Sequence, residues 1–411
     1  MNITINSARL TNELTALAGF SAAPAPAVTR IVFSDQDLQA RAWFKDLCTQ
    51  AGLEPREDAV GNTFARWVGT DPTLPAVGTG SHIDAIPHSG RFDGTVGVLG
   101  GLEAIRALQE AGVRPRRSIE LLLFTSEEPT RFGIGCLGSR LLSGSLPPAA
   151  GETLRDKDGN SLNTVRTQAG FSGALESVRL PPDYYSAFLE LHIEQGPLLE
   201  ERNMPLGVVT AIAAPASVRV IIEGQGGHAG AVLMPNRHDA FLAAAEIALA
   251  LEAAAKSSGA IDSVATTGVC DVFPGAVSSI PSRVRLEADI RDVNAERRDG
   301  MVRSLEKACR AVAARRGVTV QTETLNQDAP AICDPALVTI LTKACADFPF
   351  DRMVSRAYHD SLFMSRLFPV AMLFIPCHKG YSHRPDEYAS PEAIARGVLV
   401  LAKALEKAAA A

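Results

Sequence analysis

The sequence predicts an α/β domain that is interrupted by a smaller α+β domain. Dense apolar strands and amphipathic helices alternate in the first half of the 411-residue chain, which is typical of a mostly buried α/β sheet. Near Gly207 the pattern changes to alternating strands and alanine-rich helices, and after about Ala331 the first pattern returns. We therefore expect residues 1–206 and 331–411 to form one domain, and residues 207–330 to form an insertion in it.

The elements of the larger domain follow from the spacing of apolar residues. Apolar positions every three to four residues predict helices, and short dense apolar runs predict buried strands. The predicted helices are 38–51, 97–111 and 391–410, and the predicted strands are 63–67, 76–81, 118–125, 189–193 and 370–376. Four glycines near the second helix lack the spacing of a phosphate-binding loop, so we expect them to permit close helix packing: Gly94, Gly97, Gly100 and Gly101.

The insertion is predicted to form a compact βαββα unit. Its glycine-rich segment GQGGHAG, at 224–230, predicts a turn between the first strand and the first helix. In chain order the predicted elements are a strand at 217–224, a helix at 238–256, strands at 263–272 and 282–291, and a helix at 296–316.

Composition excludes several classes of protein. A net charge of -6 and a pI near 5.8 disfavour nucleic-acid or membrane-surface partners, because both need a basic face. The seven cysteines are scattered and odd in number, which is typical of a reducing compartment rather than a disulfide framework. No signal peptide pattern begins the chain. We therefore expect a cytoplasmic protein.

Histidines and carboxylates that could bind divalent metal ions follow several predicted strands. The segment SHIDAIPHSGRFDG begins at the end of the strand 76–81, and TSEEP begins at the end of the strand 118–125. A two-metal hydrolytic site needs about three protein ligands per ion, including one shared carboxylate. Five residues are candidate ligands, with Asp93 in a glycine-flanked loop suited to bridge two ions: His82, Asp93, Glu128, His192 and His383.

Two further acidic residues are expected to assist these ligands. Asp84, two residues after His82, could orient the imidazole of His82. Glu127 precedes Glu128, and an unliganded carboxylate beside cations suits a general base. A lone HxD pattern is more often structural, and adjacent glutamates are usually solvated. The apolar strand just before Glu127 favours a position at the end of a sheet.

Six segments together resemble the amidase/hydantoinase/carbamoylase branch of the M20 dinuclear metallohydrolases. They are GSHIDAIPHSGRFDG, FTSEEPTRFG, LHIEQGP, GGHAG, SSIPSRVRLEADIRD and YSHRPDEY, and they span nearly the whole chain. The resemblance implies a catalytic domain with an inserted lid domain, through which subunits usually form homodimers. It also implies two divalent metal ions per subunit, and the ligand types leave manganese, zinc and cobalt open.

The resemblance also implies roles for the candidate ligands and the base. One ion would be held by His82, Asp93 and His192, and the other by Asp93, Glu128 and His383. Glu127 would act as general base and then as general acid. In LHIEQGP, His192 stands where most M20 peptidases have an acidic residue, and the members that cleave ureido compounds combine this histidine with Gln195.

Five other residues are implied to contact the substrate. His228 of GGHAG would stabilise the tetrahedral oxyanion, and Arg291 of DIRD would bind the substrate carboxylate. A structural arginine at a strand end is the alternative for Arg291. Several segments are most similar to the ureidoglycolate-cleaving members, which places Tyr358 and His359 in the pocket. Ser278 of SSIP replaces the asparagine of the family, and this removes an expected amide contact with the substrate.

These residues imply hydrolysis of the ureido C–N bond in a small carboxylate-bearing substrate. Ureidoglycolate is favoured, with glyoxylate, ammonia and CO2 as products. Allantoate and N-carbamoyl-L-amino-acid amidohydrolases are the alternatives with the same metal chemistry. An aminoacylase or dipeptidase is disfavoured by His192 and Gln195, and a non-catalytic binding protein is disfavoured because no ligand or base is missing.

Overall fold

A computed structural model of the protein describes residues 3–410. The α-helices are α1 (Ser7–Gly19), α2 (Asp35–Gln50), α3 (Thr95–Glu110), α4 (Leu137–Ser143), α5 (Pro148–Thr153), α6 (Leu162–Gln168), α7 (Leu198–Glu201), α8 (Ala240–Lys256), α9 (Ala295–Arg316), α10 (Pro335–Ala344), α11 (Asp360–Met364) and α12 (Pro391–Ala409). The strands are β1 (Val28–Arg30), β2 (Glu54–Glu57), β3 (Thr63–Trp67), β4 (Ala76–His82), β5 (Ala85–Ser89), β6 (Ile119–Phe124), β7 (Tyr185–Ile193), β8 (Gly207–Ile212), β9 (Ala214–Glu223), β10 (Gly227–His228), β11 (Val264–Phe273), β12 (Ser279–Ile280), β13 (Arg283–Asp292), β14 (Thr319–Gln327), β15 (Ala331–Ile332), β16 (Asp351–Ser355) and β17 (Val370–Ile375).

The chain divides into two compact units. The first comprises Met1–Thr210, Cys333–Met353 and His359–Ala411, and the second comprises Ala211–Ile332 and Val354–Tyr358. The predicted boundaries, 206/207 and 330/331, lie a few residues before the observed boundaries, 210/211 and 332/333. The return of Val354–Tyr358 to the second unit was not predicted, because no change of composition marks it.

A mixed sheet forms the centre of the first unit; it includes the strand order β8-β17-β7-β4-β6-β3-β2, and β16 also pairs with β8. The middle strands β17, β7, β4 and β6 run parallel, and the strands on either side pair antiparallel. Every residue of β4, β6 and β17 is buried, as expected of parallel strands that are covered on both faces. The carboxyl ends of the four parallel strands therefore lie along one edge of the sheet.

Helix packing on this sheet depends on glycines in α3. A Cβ atom at Gly97 would lie 2.5 Å from the carbonyl oxygen of Leu191, and one at Gly101 would lie 2.7 Å from Cδ1 of Leu121. The packing role is confirmed for Gly97, Gly100 and Gly101, whereas Gly94 precedes α3 and a Cβ atom there would meet the imidazole of His82. On α12, a Cβ at Gly397 would likewise lie 2.5 Å from the side chain of Ile375.

The second unit contains an antiparallel sheet in the order β11-β13-β9-β14, with α8 and α9 packed on one face. Alternate residues of β9 and β13 are buried against these helices, among them Val218, Val220, Val284 and Leu286. The predicted α/β domain with an inserted α+β domain is confirmed. The predicted βαββα order was incomplete, however, because β14 adds a fourth strand whose residues are mostly exposed and whose apolar pattern is weak.

Neither a disulfide nor a membrane-spanning helix is found in residues 3–410. The seven cysteines are free, and Cys270 is the exposed one among them. No helix in this range is both long and apolar enough to cross a bilayer.

Candidate active site

The loops at the carboxyl edge of the sheet bring the five predicted ligands together. His82 is the last residue of β4, and His192 lies near the end of β7. Glu128 follows β6, His383 follows β17, and Asp93 precedes α3. All five side chains can approach one another because parallel strands deliver their following loops to the same edge.

The first group of donor atoms contains His82, Asp93 and His192. Nε2 of His192 lies 3.2 Å from Oδ1 of Asp93, and Nε2 of His82 lies 3.7 Å from the same oxygen. The three donor atoms lie within 4.8 Å of one another, and all three residues are buried. Tetrahedral ligands at typical zinc bond lengths are about 3.4 Å apart, so this spacing fits one divalent ion.

The second group contains Asp93, Glu128 and His383. Nε2 of His383 lies 3.1 Å from Oδ2 of Asp93 and 3.3 Å from Oε1 of Glu128. These three donor atoms also lie within 4.8 Å of one another. Asp93 therefore directs one carboxylate oxygen to each group, which is the arrangement that a carboxylate needs to bridge two ions.

The charges of the two groups fit cations. Burial opposes the ionisation of Asp93, but hydrogen bonds with His192, His383 and His82 outweigh it and hold the pKa of Asp93 well below its usual value. Hydrogen bonds to Asp93 and Glu128 raise the pKa of His383 to about 11. The carboxylates thus favour positive charge at this place.

Asp84 contacts this site differently from the prediction. Nδ1 of His82 lies 3.0 Å from the backbone carbonyl oxygen of Asp84 and 3.7 Å from its carboxylate. The carboxylate of Asp84 accepts hydrogen bonds from the backbone N–H groups of Glu127, at 3.2 Å, and Glu128, at 3.0 Å. Asp84 therefore orients His82 through its main chain and holds the Glu127–Glu128 loop through its side chain.

Glu127 lies beside the first group without belonging to either group. Its Oε2 is 3.8 Å from Nε2 of His82, and its Oε1 is 3.4 Å from Sγ of Cys136. Burial, together with the charge of Glu128, raises the pKa of Glu127 well above its usual value, although His82 opposes this. A buried carboxylate with a raised pKa can accept a proton near neutral pH.

Gln195 and His359 also lie at this edge. Nε2 of Gln195 donates to Oδ2 of Asp93 at 2.7 Å, whereas its Oε1 is buried and accepts no hydrogen bond from the described residues. His359 is buried, and its ring centroid lies 4.6 Å from that of His192 in an edge-to-face arrangement. His359 therefore supports the ring of a candidate ligand as well as lying close to the candidate metal groups.

Four predicted site residues lie in the second unit. The pairing of β10 with β12 brings the exposed His228 and Ser278 close together, because the N–H of Ala229 donates to the carbonyl of Ser278 at 2.8 Å. Arg291 forms a two-point ion pair with Asp289, at 2.7 and 3.1 Å. The fourth residue is Tyr358, whose hydroxyl donates a hydrogen bond to the carboxylate of Asp328 after β14.

Left-handed backbone conformations occur at four non-glycine residues around the candidate metal groups. Ser126, Cys136, Gln195 and His383 have φ angles of 56°, 55°, 56° and 61°. Such conformations are costly for residues with a Cβ atom and are concentrated at functional sites. Gln195 and His383 thereby contact Asp93, and Cys136 contacts Glu127.

Several polar residues of this edge were not predicted. Glu387 accepts two backbone hydrogen bonds from the Asp93 loop. On β7, two residues before His192, the carboxylate of Glu190 accepts hydrogen bonds from the hydroxyls of Ser81 and Ser361. Burial raises the pKa of the nearby Asp360 to about 8. Glu387 lies within the quoted segment YSHRPDEY, so a signal was present, but a run of charged residues is usually solvated.

Comparison with known proteins agrees with the motifs. The family model of peptidase family M20/M25/M40 matches residues 78–407. The chain is 51% identical to a ureidoglycolate hydrolase of Arabidopsis thaliana, over 99% of this chain and 87% of that protein. It is 37% identical to an N-carbamoyl-L-amino acid amidohydrolase of Geobacillus stearothermophilus, over 97% of both chains. It is 31% identical to an allantoate amidohydrolase of Bacillus subtilis, over 97% of both chains.

Solved structures give the same relationship. The crystal structure of AtUAH in complex with glyoxylate matches with a TM-score of 0.90 and 50% identity, over 99% of this chain and 98% of that one. A second structure of AtUAH, in complex with (S)-hydroxyglycine, has the same TM-score and 49% identity, with the same coverage. The predicted family and the predicted class, a hydrolase of C–N bonds other than peptide bonds, are both confirmed. The chain belongs to peptidase family M20/M25/M40.

Proposed function

We propose that this protein hydrolyses the ureido C–N bond of ureidoglycolate, giving glyoxylate, ammonia and CO2. The observation that carries the proposal is similarity to ureidoglycolate hydrolase over nearly the whole chain, well above the similarity to the carbamoylase and allantoate relatives. The (S)-hydroxyglycine in the AtUAH structure supports it further, because hydroxyglycine is what ureidoglycolate leaves after losing its carbamoyl group.

We propose that the two groups of donor atoms each hold one divalent ion. His82, Asp93 and His192 would bind one ion, and Asp93, Glu128 and His383 would bind the other. Manganese, zinc and cobalt all suit imidazole and carboxylate ligands. Ions held there would supply Lewis acidity and lower the pKa of a water molecule toward neutrality.

Glu127 is the general base of the proposed reaction. It accepts a proton from the attacking water, whose oxygen forms a bond to the terminal carbamoyl carbon. Glu127 then returns the proton to the nitrogen of the breaking C–NH2 bond, and ammonia leaves. The N-carboxy product loses CO2 to give hydroxyglycine, which breaks down to glyoxylate and a second ammonia. Asp84 keeps Glu127 in place by accepting the hydrogen bond from its backbone N–H.

Six residues are proposed to contact the substrate. Oε1 of Gln195 is buried without a hydrogen bond from the described residues, and we assign it to an N–H of the ureido group. His228 stabilises the oxyanion, and Arg291 exchanges its ion pair with Asp289 for the substrate carboxylate. Ser278, Tyr358 and His359 line the pocket, and Ser278 offers a hydroxyl where relatives would offer an amide.

A panel of three substrates tests the proposal. The protein, loaded in parallel with manganese and with zinc, is given (S)-ureidoglycolate, allantoate and an N-carbamoyl-L-amino acid, and ammonia release is measured. We expect ureidoglycolate to have the highest kcat/KM with at least one metal. Faster turnover of allantoate or of the carbamoyl amino acid would replace the proposed substrate, while loss of all three activities would overturn the proposed reaction.

We also propose that the second unit acts as a lid and joins two subunits into a homodimer. Large apolar side chains are exposed on α8, including Phe241 at 43% and Leu249 at 65%. Multi-angle light scattering should give twice the chain mass of 43.5 kDa, and replacing Leu249 with glutamate should shift the protein toward monomer. A monomeric wild-type protein would refute this part. The free cysteines support a reducing, cytoplasmic setting.

A further inference from the structure

Glu387 is a buried carboxylate that belongs to neither group of metal-ligand candidates. It lies in the loop after β17, the loop that also carries His383, and it is 4% exposed. Its Oε1 accepts the backbone N–H of Phe92 at 2.7 Å and that of Asp93 at 3.0 Å. One carboxylate oxygen of Glu387 therefore holds two consecutive peptide groups, the one before Phe92 and the one before Asp93.

The Asp93 loop leaves space for this carboxylate. A Cβ atom at Gly90 would lie 2.3 Å from Cβ of Glu387 and 2.4 Å from its Oε1. These distances are shorter than any van der Waals contact, so a side chain at Gly90 would displace Glu387. The absence of a side chain at this position is what allows the loop to close over the carboxylate.

A second connection runs from Glu387 to the side chain of Asp93. The hydroxyl of Ser382 lies 3.0 Å from Oε2 of Glu387 and 2.9 Å from Oδ2 of Asp93. Nε2 of Gln195 approaches both the hydroxyl of Ser382, at 3.2 Å, and Oδ2 of Asp93, at 2.7 Å. Glu387 thus contacts the backbone of Asp93 directly and its carboxylate through Ser382.

We propose that Glu387 is a positioning residue for the bridging carboxylate: it holds Asp93 where its two oxygens face the two groups of donor atoms. This inference rests on the proposed metal site. Glu387 ties the Asp93 loop to the loop that carries His383, so one residue sets the distance between two ligands of the second group. If Glu387 only stabilised the fold, its loss would lower stability without changing the metal affinity of the folded protein.

Zinc affinity of the metal-free protein tests the role without using any substrate. Zn²⁺ is titrated in competition with a chromophoric chelator into the wild type, Glu387→Ala, Glu387→Gln and Ser382→Ala, and circular dichroism confirms that each is folded. Glu387→Ala should raise the dissociation constant of the weaker zinc site by about 10- to 100-fold, which is typical for partners that orient metal ligands. Glu387→Gln should stay within about threefold of the wild type, because its amide oxygen still accepts both N–H groups.

Asp156→Ala is the matched control. Asp156 is also a buried loop carboxylate, and it accepts two backbone hydrogen bonds, from Asp158 at 3.0 Å and Asn160 at 2.8 Å. Its loop, between α5 and α6, contains none of the candidate ligands. Asp156→Ala should therefore lower the melting temperature and leave zinc affinity unchanged. An equal loss of zinc affinity in this variant would show that loop destabilisation alone causes the effect.

Cobalt gives a spectroscopic measurement of the same role. The visible absorption of the Co²⁺-loaded protein depends on coordination geometry, so Glu387→Ala should change its intensity or position and Glu387→Gln should restore the wild-type spectrum. Wild-type zinc affinity and cobalt spectrum in a folded Glu387→Ala variant would overturn the proposal. If Glu387→Ala does not fold, unchanged zinc affinity in Ser382→Ala overturns it instead, and a rise of threefold or more supports it. A wild-type protein that binds no zinc or cobalt would instead refute the proposed metal site itself.

Discussion

The substitution Glu127→Gln separates the proposed base from the metal ligands. Glutamine has the size of glutamate, and Glu127 makes close side-chain contacts with His82, at 3.8 Å, and Cys136, at 3.4 Å, that an amide can keep. The amide cannot accept a proton from water, and loss of a positioned base typically lowers kcat by about 10²- to 10⁴-fold. This corresponds to about 3 to 5 kcal/mol of lost transition-state stabilisation.

The metal content of Glu127→Gln should be that of the wild type, because Glu127 belongs to neither group of donor atoms. The pKa of Glu127 is raised in the folded protein, so its contribution to stability is complete below its usual pKa of 4.5 and is lost as the pH rises. The metal-free Glu127→Gln protein should therefore be at least as stable as the wild type above neutral pH.

Ammonia release from (S)-ureidoglycolate measures kcat, inductively coupled plasma spectrometry measures bound metal, and urea unfolding measures stability. Asp156→Asn serves as a control, because this residue lies outside the candidate site and should leave kcat unchanged. A Glu127→Gln enzyme with full metal content and a kcat within tenfold of the wild type would refute the assignment of Glu127 as the base.

Three other residues and the metal itself give further predictions. Arg291→Gln should raise KM for ureidoglycolate by about 10- to 100-fold at unchanged metal content, since hydrogen bonds to charged groups contribute about 1.5–3 kcal/mol; an unchanged KM would refute the carboxylate contact. Gly94→Ala should weaken zinc binding at least tenfold in chelator competition, because its Cβ would lie 2.4 Å from Nε2 of His82; Gly112→Ala, which shares a positive φ angle but has no neighbour within 4 Å, should not. Burial raises the pKa of Asp360 to about 8, so its contribution to the stability of the metal-free protein is complete below about pH 3.8 and is lost as the pH rises through 8. The free energy of unfolding, measured with urea, should therefore fall more between pH 5 and pH 9 for the wild type than for Asp360→Asn. Equal falls would contradict the buried, protonated state of Asp360. Chelation with EDTA should abolish ammonia release and lower the melting temperature, and added manganese or zinc should reverse both; full activity at sub-stoichiometric metal content would exclude a metal-dependent reaction.

The candidate metal ligands could be predicted because their chemistry is written in residue type and local order. His82, Glu127 and Glu128 each lie at or just beyond a dense apolar strand, and such strands end at the functional edge of an α/β sheet. His192 and His383 could be found by the same argument, although they lie far along the chain. Residue type therefore indicates the kind of site independently of the distances.

Contacts that depend on long-range pairing could not be predicted in this way. Glu387 and Asp93 are 294 residues apart in sequence, and nothing in either segment indicates that one carboxylate accepts the N–H of the other residue. The pairing of Arg291 with Asp289 was likewise not predicted, since both residues lie on an alternating strand where either could face solvent. The strand β14 was missed because it pairs through its main chain while most of its side chains stay exposed.

The sequence by itself determined the two-part architecture, the five candidate ligands and the free carboxylate beside them, because apolar periodicity and side-chain chemistry are local properties. Only the tertiary structure decided that Asp93 turns one oxygen to each group of donors, at 3.2 Å from His192 and 3.1 Å from His383. It also decided that Asp84 and Glu387 hold the surrounding loops through backbone N–H groups. These arrangements depend on how separate strand-end loops meet, and every buried N–H in such loops needs an acceptor that the local sequence does not supply.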